Sequence, residues 1–400
     1  MTGFTVRSIR DHEKEQCLEL WCTAFPHTSR AYFERYFYGD SEYDPHYTRV
    51  GVLDDRIVSC VQIVRRVITV GESRATAACI ANVSTHPDFT ARGYNRACLL
   101  SALNVIKSDT FDFSILGTGI PGYYKKLGWT AVGLPIMQGK LTVDEATLDT
   151  RIRPAEFHDI ERMIDAYSGT YLGSPLAVVR SPGYWRGWLE FSSQSQPESW
   201  YIVEKQTGEF LGYVRAERDD ENDNPTLEIT EMASPNGLDA AIALQLFRSI
   251  AAHTNSYEGT TCNLHVPLSP GVIEAAAGLM RDKTFLSGGG MMFRTVNDDS
   301  LFRALLPEMT DRWTALGKPF FSVGIENPDG PPISISGSSG GISLGPADEL
   351  RCEVIAQDKL FALVFGLQDP ETLDLPGQAA AGIKVLVPQQ RGTFLSADDF

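Results

Sequence analysis

The residues best suited to chemistry fall in two short stretches of the 400-residue sequence. The first is the polar loop Pro87-Asp88-Phe89-Thr90-Ala91-Arg92-Gly93-Tyr94-Asn95, which lies between the apolar run Cys79 to Val83 and a stretch with helical spacing. A glycine in such a strand-to-helix loop lets backbone N–H groups and the positive end of a helix face a pyrophosphate. A Cβ at Gly93 would occupy the space of the phosphate. Taken alone, the same loop also suits a helix-entry turn with no ligand. The second stretch, Tyr123-Tyr124-Lys125-Lys126-Leu127-Gly128-Trp129, puts a tyrosine just before a glycine–aromatic pair that re-enters a sheet. A phenol, with an ordinary pKa of about 10, is protonated at neutral pH and can hand that proton to a departing thiolate.

Other chemistries find little support. The seven histidines (12, 27, 46, 86, 158, 253, 265) show no paired metal-ligand spacing, so no metal site is expected. There is no G-x-S-x-G elbow or Walker loop. Lys and Arg total 35 against 51 Asp and Glu, a net charge of −16 that disfavours nucleic acid and anionic membranes and favours small cations such as a polyamine or amino sugar. The seven cysteines (17, 22, 60, 79, 98, 262, 352) are odd in number and scattered, which fits reduced, buried thiols and a cytoplasmic location. No run of about 18 apolar residues offers a membrane span, and the N-terminus has no apolar targeting core.

The elements that must position these stretches follow from periodicity. Phe4 to Ile9 alternates like a strand, and a helix carrying Cys17, Leu18, Trp21 and Cys22 follows it. A second helix covers "SRAYFERYFYG". Tyr47 to Leu53 and Arg56 to Val70 are β-rich runs around Asp54-Asp55, and Arg74 to Val83 makes a further strand. Arg92 to Ile106 reads as a buried helix and Phe111 to Leu116 as a strand, followed by a short helix and the strand-like "TAVGLPIM". About 145 residues on, "RIRPAEFHDIERMIDAY", "WYIVEKQTGEFLGYVRAE" and "LEITEMASPNGLDAAIALQLFRSI" repeat the strand, helix, strand pair, strand, loop, helix order. The repeat lacks a counterpart of "GYYKKLGW", so the fold is expected there without the chemistry. From about Met291 the texture turns to strands among Gly, Pro and Ser, with helices near Asp358 to Phe365 and Leu375 to Ile383.

"VSTHPDFTARGYNRA" and "YYKKLGW" together resemble the GNAT family of N-acetyltransferases, in its acetyl-CoA loop and its tyrosine-bearing helix. With the degenerate repeat and a third domain ending on phenylalanine, the whole chain resembles the Eis (enhanced intracellular survival) branch. The resemblance implies an α/β (α+β) chain: a catalytic GNAT domain over 1–145, a second GNAT-like domain over 146–290, and a sterol-carrier-like α+β domain over 291–400. It implies acetyl-CoA as co-substrate, with Val83 and Thr85 meeting the pantetheine and thioester, and the backbone of Ala91, Arg92, Gly93, Tyr94 and Asn95 cradling the pyrophosphate. Thr90 stands where the family carries Arg or Gln, and Asn95 where it carries glycine. Tyr124 matches the family's general acid, and the Val83 N–H would meet the developing oxyanion. The terminal carboxylate of Phe400 would take a proton from the acceptor amine, with Asp399 beside it. Phe25 and Phe37 are expected as walls of the acceptor pocket and Asn82 near the thioester, although core packing also accounts for each phenylalanine. The implied activity is acetyl transfer to primary amines of a cationic acceptor, aminoglycoside or polyamine, by a homo-oligomer, commonly a hexamer in the family. The alternative is a non-catalytic CoA- or lipid-binding carrier.

Overall fold

The computed structural model describes residues 3–143, 149–195, 200–219, 224–266, 269–288, 291–347, 353–367 and 385–386. The chain begins with β1 (Phe4–Ser8), α1 (Lys14–Ala24), α2 (Arg30–Glu34), β2 (Thr48–Leu53), β3 (Arg56–Val70), β4 (Ser73–Thr85), α3 (Tyr94–Ser108), β5 (Phe113–Gly117), α4 (Pro121–Lys125), β6 (Thr130–Ala131) and β7 (Leu134–Leu141). It continues through β8 (Thr150–Pro154), α5 (Ile160–Tyr171), β9 (Ala177–Val178), α6 (Pro182–Ser195), β10 (Trp200–Lys205), β11 (Phe210–Asp219), β12 (Thr226–Ala233), α7 (Ala240–His253), β13 (Thr261–Leu264), α8 (Pro270–Leu279) and β14 (Met280–Gly288). Last come β15 (Met291–Thr295), α9 (Asp298–Ala315), β16 (Phe321–Ile325), β17 (Ile333–Ser338), β18 (Gly341–Pro346), β19 (Val354–Ile355) and α10 (Gln357–Val364).

These elements form a mixed α/β structure in which helices flank mixed sheets. The first sheet runs β1-β2-β3-β4-β5-β15-β6, with β9 added to β3, and the second runs β14-β7-β13-β12-β11-β10-β8. In each, one parallel pair is joined by a helical crossover: β4 to β5 through α3, and β12 to β13 through α7. The β2–β3 hairpin turns on Asp54 and Asp55, both left-handed (φ 48° and 61°), a conformation aspartate tolerates better than most residues.

The repeat is visible in side chains as well as in element order. Arg7 holds Glu13 with two hydrogen bonds, of 2.7 and 2.6 Å, while Glu13 accepts the Arg10 amide at 2.9 Å. Arg153 holds Asp159 at 2.8 and 2.7 Å, and Asp159 accepts the Glu156 amide at 2.8 Å. Each device fixes the entry to the first long helix of its unit, α1 or α5, by satisfying amides that a helix start leaves unpaired.

Two expected boundaries shift. Leu134–Leu141, assigned to the segment 1–145, pairs in the second sheet with both β13 and β14. Met291–Thr295, assigned to 291–400, inserts into the first sheet between β5 and β6. The two units therefore exchange strands. Composition marks where the texture of a chain changes, whereas a strand's sheet is decided by long-range pairing. The third sheet, β18-β17-β16-β19, shares a core with the first: Phe361 of α10 stacks on Phe293 at 5.1 Å and meets Phe113 at 6.0 Å. The expected helix at Leu375 to Ile383 lies outside the described residues. No described helix is long and apolar enough to cross a membrane.

Candidate active site

The site is organised by a break in strand pairing. Along β4, Ala81 pairs with Gln62 and Ser84 with Cys60, so Asn82 and Val83 together oppose the single residue Val61. This bulge puts Asn82 in the left-handed region (φ 50°), and its amide donates to Gln62 Oε1 at 2.8 Å. On the other edge, pairing with β5 stops at Ile80 opposite Leu116. Beyond that point β4 and β5 part, and the edge of β4 at Asn82 and Val83 has no ladder partner on the β5 side. A forked parallel pair with an open strand edge suits an extended, amide-bearing ligand.

The loop beyond the fork ends in an open helix start. Gly93 is the N-cap of α3, left-handed at φ 80°, and no side chain caps the helix. A Cβ on Gly93 would meet no described atom within 4 Å, so the position needs glycine for its backbone conformation, and the space around it is open. Ala91 is also left-handed (φ 60°), a cost for a residue with a Cβ and a mark of a loop held in a special shape. The Arg92 side chain turns back onto its own loop, donating to the Asp88 carbonyl at 3.1 Å and lying over the Phe89 ring. Tyr94 stacks on Phe4 at 4.3 Å. Asn95 accepts from the Tyr123 hydroxyl at 3.0 Å and donates to the Ser84 carbonyl at 3.4 Å, bracing α4, α3 and β4 together. In this loop these side chains are engaged within the protein, which leaves the backbone open to solvent contact. Thr85 contacts Ser59 through its hydroxyl, at 3.1 Å.

Tyr124 lies on α4 and is largely buried, whereas its neighbour Tyr123 is committed to Asn95. Among the described residues the Tyr124 hydroxyl makes no hydrogen bond. Burial, reinforced by Tyr123, pushes its pKa up to about 12 and keeps the phenol protonated. The helix is fixed from behind. Trp129 packs edge-on against Tyr124 at 6.2 Å and donates to Ser114 Oγ at 3.2 Å. Gly128 is left-handed (φ 91°), and a Cβ there would sit 2.9 Å from Arg294 Nε. Arg294 belongs to the exchanged strand β15 and donates to the Leu127 carbonyl at 3.0 Å, while Gln357 of α10 donates to the Gly128 carbonyl at 3.2 Å.

Tyr124, Asn82 and Val83 all line one cavity of about 980 Å³ between the first two units. Phe25 stands on its wall. Phe37 does not; it stacks on Trp21 at 4.8 Å in the core against α1, because the chain turns its face inward after α2. Phe400 and Asp399 lie outside the described residues. The second unit supplies the rest of the wall, which no sequence motif marks: Trp188 and Phe191 of α6, Arg215 and Glu217 of β11, Glu228 and Thr230 of β12, and His265 just after β13. Its one legible signal was polar residues alternating with apolar ones in "LEITEMA". No described cluster of residues could hold a metal ion.

Residues 5–132 match the family model described as an acetyltransferase (GNAT) domain. The chain therefore carries a GNAT acetyltransferase domain. It is an acyltransferase enzyme, and the fork, loop and Tyr124 all fall within the matched segment. Solved structures share the fold from end to end. A probable N-acyltransferase from Enterococcus faecalis V583 is 16% identical with a TM-score of 0.73, covering 100% of both chains. A GCN5-related N-acetyltransferase from Anabaena variabilis ATCC 29413 is 17% identical with a TM-score of 0.70, covering 99% of this chain and 100% of that one. Eis1 from Mycobacterium abscessus is 13% identical with a TM-score of 0.64, over 99% and 100%. No curated protein matches the sequence.

Proposed function

We propose that the protein transfers the acetyl group of acetyl-CoA to a primary amine of a cationic acceptor, of the aminoglycoside or polyamine class. The observation that carries this reading is the convergence on one cavity of a buried, protonated Tyr124 with the β4 bulge, whose β5-facing edge is open. Acetyl-CoA would supply an activated acetyl thioester. Its pantetheine suits the fork, where Val83 and Thr85 offer backbone groups. Its pyrophosphate suits the uncapped start of α3, where the N–H groups of residues 91 to 95 and the helix dipole favour negative charge.

In the transfer, the acceptor nitrogen forms a bond to the carbonyl carbon, the C–S bond breaks, and Tyr124 gives its proton to the sulfur. The Val83 N–H is the donor for the developing oxyanion. The Phe400 carboxylate, as the resemblance implies, accepts a proton from the nitrogen, with Asp399 and Asn82 near the acceptor. Eis-type membership, the sterol-carrier-like reading of the last domain, a hexameric ring and a cytoplasmic location belong to the same proposal. The likeness of fold to Eis1 supports the first, and six described cysteines without a disulfide are compatible with the last. Incubation with acetyl-CoA and a panel of polyamines and aminoglycosides, following thiol release, tests the activity. Amine-dependent release is expected. None above background, together with no calorimetric binding of acetyl-CoA, would refute it.

A further inference from the structure

Converting an alkylammonium into an amide removes two protons from one nitrogen: the first creates the nucleophile, and the second leaves after attack. Tyr124 enters the reaction protonated and cannot take the first. On the part of the same cavity's wall contributed by the second unit, the His265 Nε2 and a Glu228 carboxylate oxygen lie 2.7 Å apart. The other oxygen of Glu228 accepts from Asn263 at 2.6 Å, which fixes the carboxylate. The His265 backbone is tied in turn, its N–H donating to the Ile229 carbonyl at 2.9 Å. A carboxylate only accepts hydrogen bonds, so Nε2 carries the hydrogen, and in the neutral ring Nδ1 is the nitrogen whose lone pair can take a proton. Among the described residues Nδ1 has no partner.

We infer that the Glu228–His265 pair is the general base that deprotonates the acceptor ammonium, a catalytic role carried by the second, degenerate unit. This rests on the acetyl-transfer reading above. The proton passes from R–NH3+ to His265 Nδ1, leaving R–NH2 and an imidazolium stabilised by Glu228. After attack, the nitrogen's second proton makes good, through water, the one Tyr124 gave to the sulfur, and the imidazolium releases its own to solvent. One proton is liberated per acetyl transferred. Glu217 lies directly opposite Glu228 on the neighbouring strand and lines the same cavity. With Arg215 within 4.0 Å of Glu217, the wall carries both signs of charge, so an amine is drawn to the Glu228 side.

The test uses the full-length chain with acetyl-CoA and spermidine, or kanamycin where spermidine is not turned over. Thiol release gives kcat and the amine KM, and calorimetry gives the acetyl-CoA Kd. His265→Gln should lower kcat about 10²-fold, and Glu228→Gln about tenfold, with acetyl-CoA affinity unchanged. A structural disturbance would weaken acetyl-CoA binding or lower the melting temperature as well. Should His265→Gln fail to fold, Glu228→Gln decides by the same criteria. Unchanged kcat in folded variants, or a change confined to the amine KM, overturns the base assignment while leaving acetyl transfer standing. A wild-type chain that turns over neither amine refutes the acetyl-transfer reading, and the role of the pair with it.

Discussion

The two repeated units build the same strand–loop–helix and treat its loop in opposite ways. Both β4 and β12 carry a bulge where they leave their parallel partner: Asn82 and Val83 oppose Val61 in the first, and Thr230 is the extra residue opposite Arg215 and Ala216 in the second. After the bulge they diverge. In the first unit Gly93 starts α3 with no side-chain cap and open space around it. In the second, Asp239 caps α7 with its own carboxylate, accepting the Ile242 amide at 2.8 Å. The negative charge that a helix start attracts is thus already supplied by the chain. The start of α8 then seals the loop, since a Cβ on Gly271 would lie 2.4 Å from the Leu238 carbonyl oxygen. Thr170 and Tyr171 of α5 take the backbone of Ser234 and Met232 at the end of β12. A loop left open in one copy is filled from within in the other, whose bulged strand furnishes part of the wall of its neighbour's cavity.

The largest effect that tests this contrast is loss of the acid. Tyr124→Phe should lower kcat about 10²-fold or more in the thiol-release assay with acetyl-CoA affinity little changed, since the ring is kept. A near-normal rate would give the role to Tyr123 or water. Next come the glycines of the two loops. Gly93→Val should raise the acetyl-CoA KM at least about tenfold in a folded protein, through a strained backbone at the phosphate site. Gly237→Val, at the left-handed position of the other loop (φ 79°), should cost stability and leave that KM alone. Removing Phe400, or masking its carboxylate with a C-terminal tag, should lower turnover about tenfold at an unchanged melting temperature, because the proposed transfer uses that carboxylate to accept a proton from the nitrogen.

Smaller effects follow from titration. Burial favours the neutral form of Tyr124, so its contribution to stability is complete below about pH 10 and is lost as pH rises through about 12. Activity should therefore show no loss attributable to this phenol between pH 7 and 10, measured with the Tyr124→Phe residual rate as baseline. The helix-entry carboxylates have the opposite sign. The Arg7 hydrogen bonds hold Glu13 at about 2, and at Asp159 burial, which would raise the pKa, is outweighed by Arg153, the Glu156 amide and Arg162, leaving it also at about 2. Their stabilisation is present above the ordinary carboxylate range and lost as pH falls through about 2. Glu13→Gln and Asp159→Asn should each lower the melting temperature at pH 7 by a few degrees, with the difference from wild type shrinking in acid.

Local pattern revealed much of this. The helix over residues 92–106, the hairpin at Asp54-Asp55 and the tyrosine helix before Gly128 are encoded within a few residues of themselves, and the structure forms α3, the β2–β3 turn and α4 there. The exchange of β7 and β15 was not legible, because pairing partners far apart in sequence leave no periodic trace. The second unit's part of the cavity wall was hidden for the same reason: His265 looked like one histidine among seven until β12 and β13 brought it to Glu228. Phe37 was misplaced because an aromatic stripe reads alike whether it lines a cavity or fills a core.

The central claim, one working cradle and one filled from within, is tested most directly by calorimetric titration of the full-length chain with acetyl-CoA. The account predicts one site per chain, weakened at least about tenfold by Gly93→Val and unaltered by Gly237→Val. Two equivalent sites, or a single site that survives Gly93→Val and is lost with Gly237→Val, would contradict it.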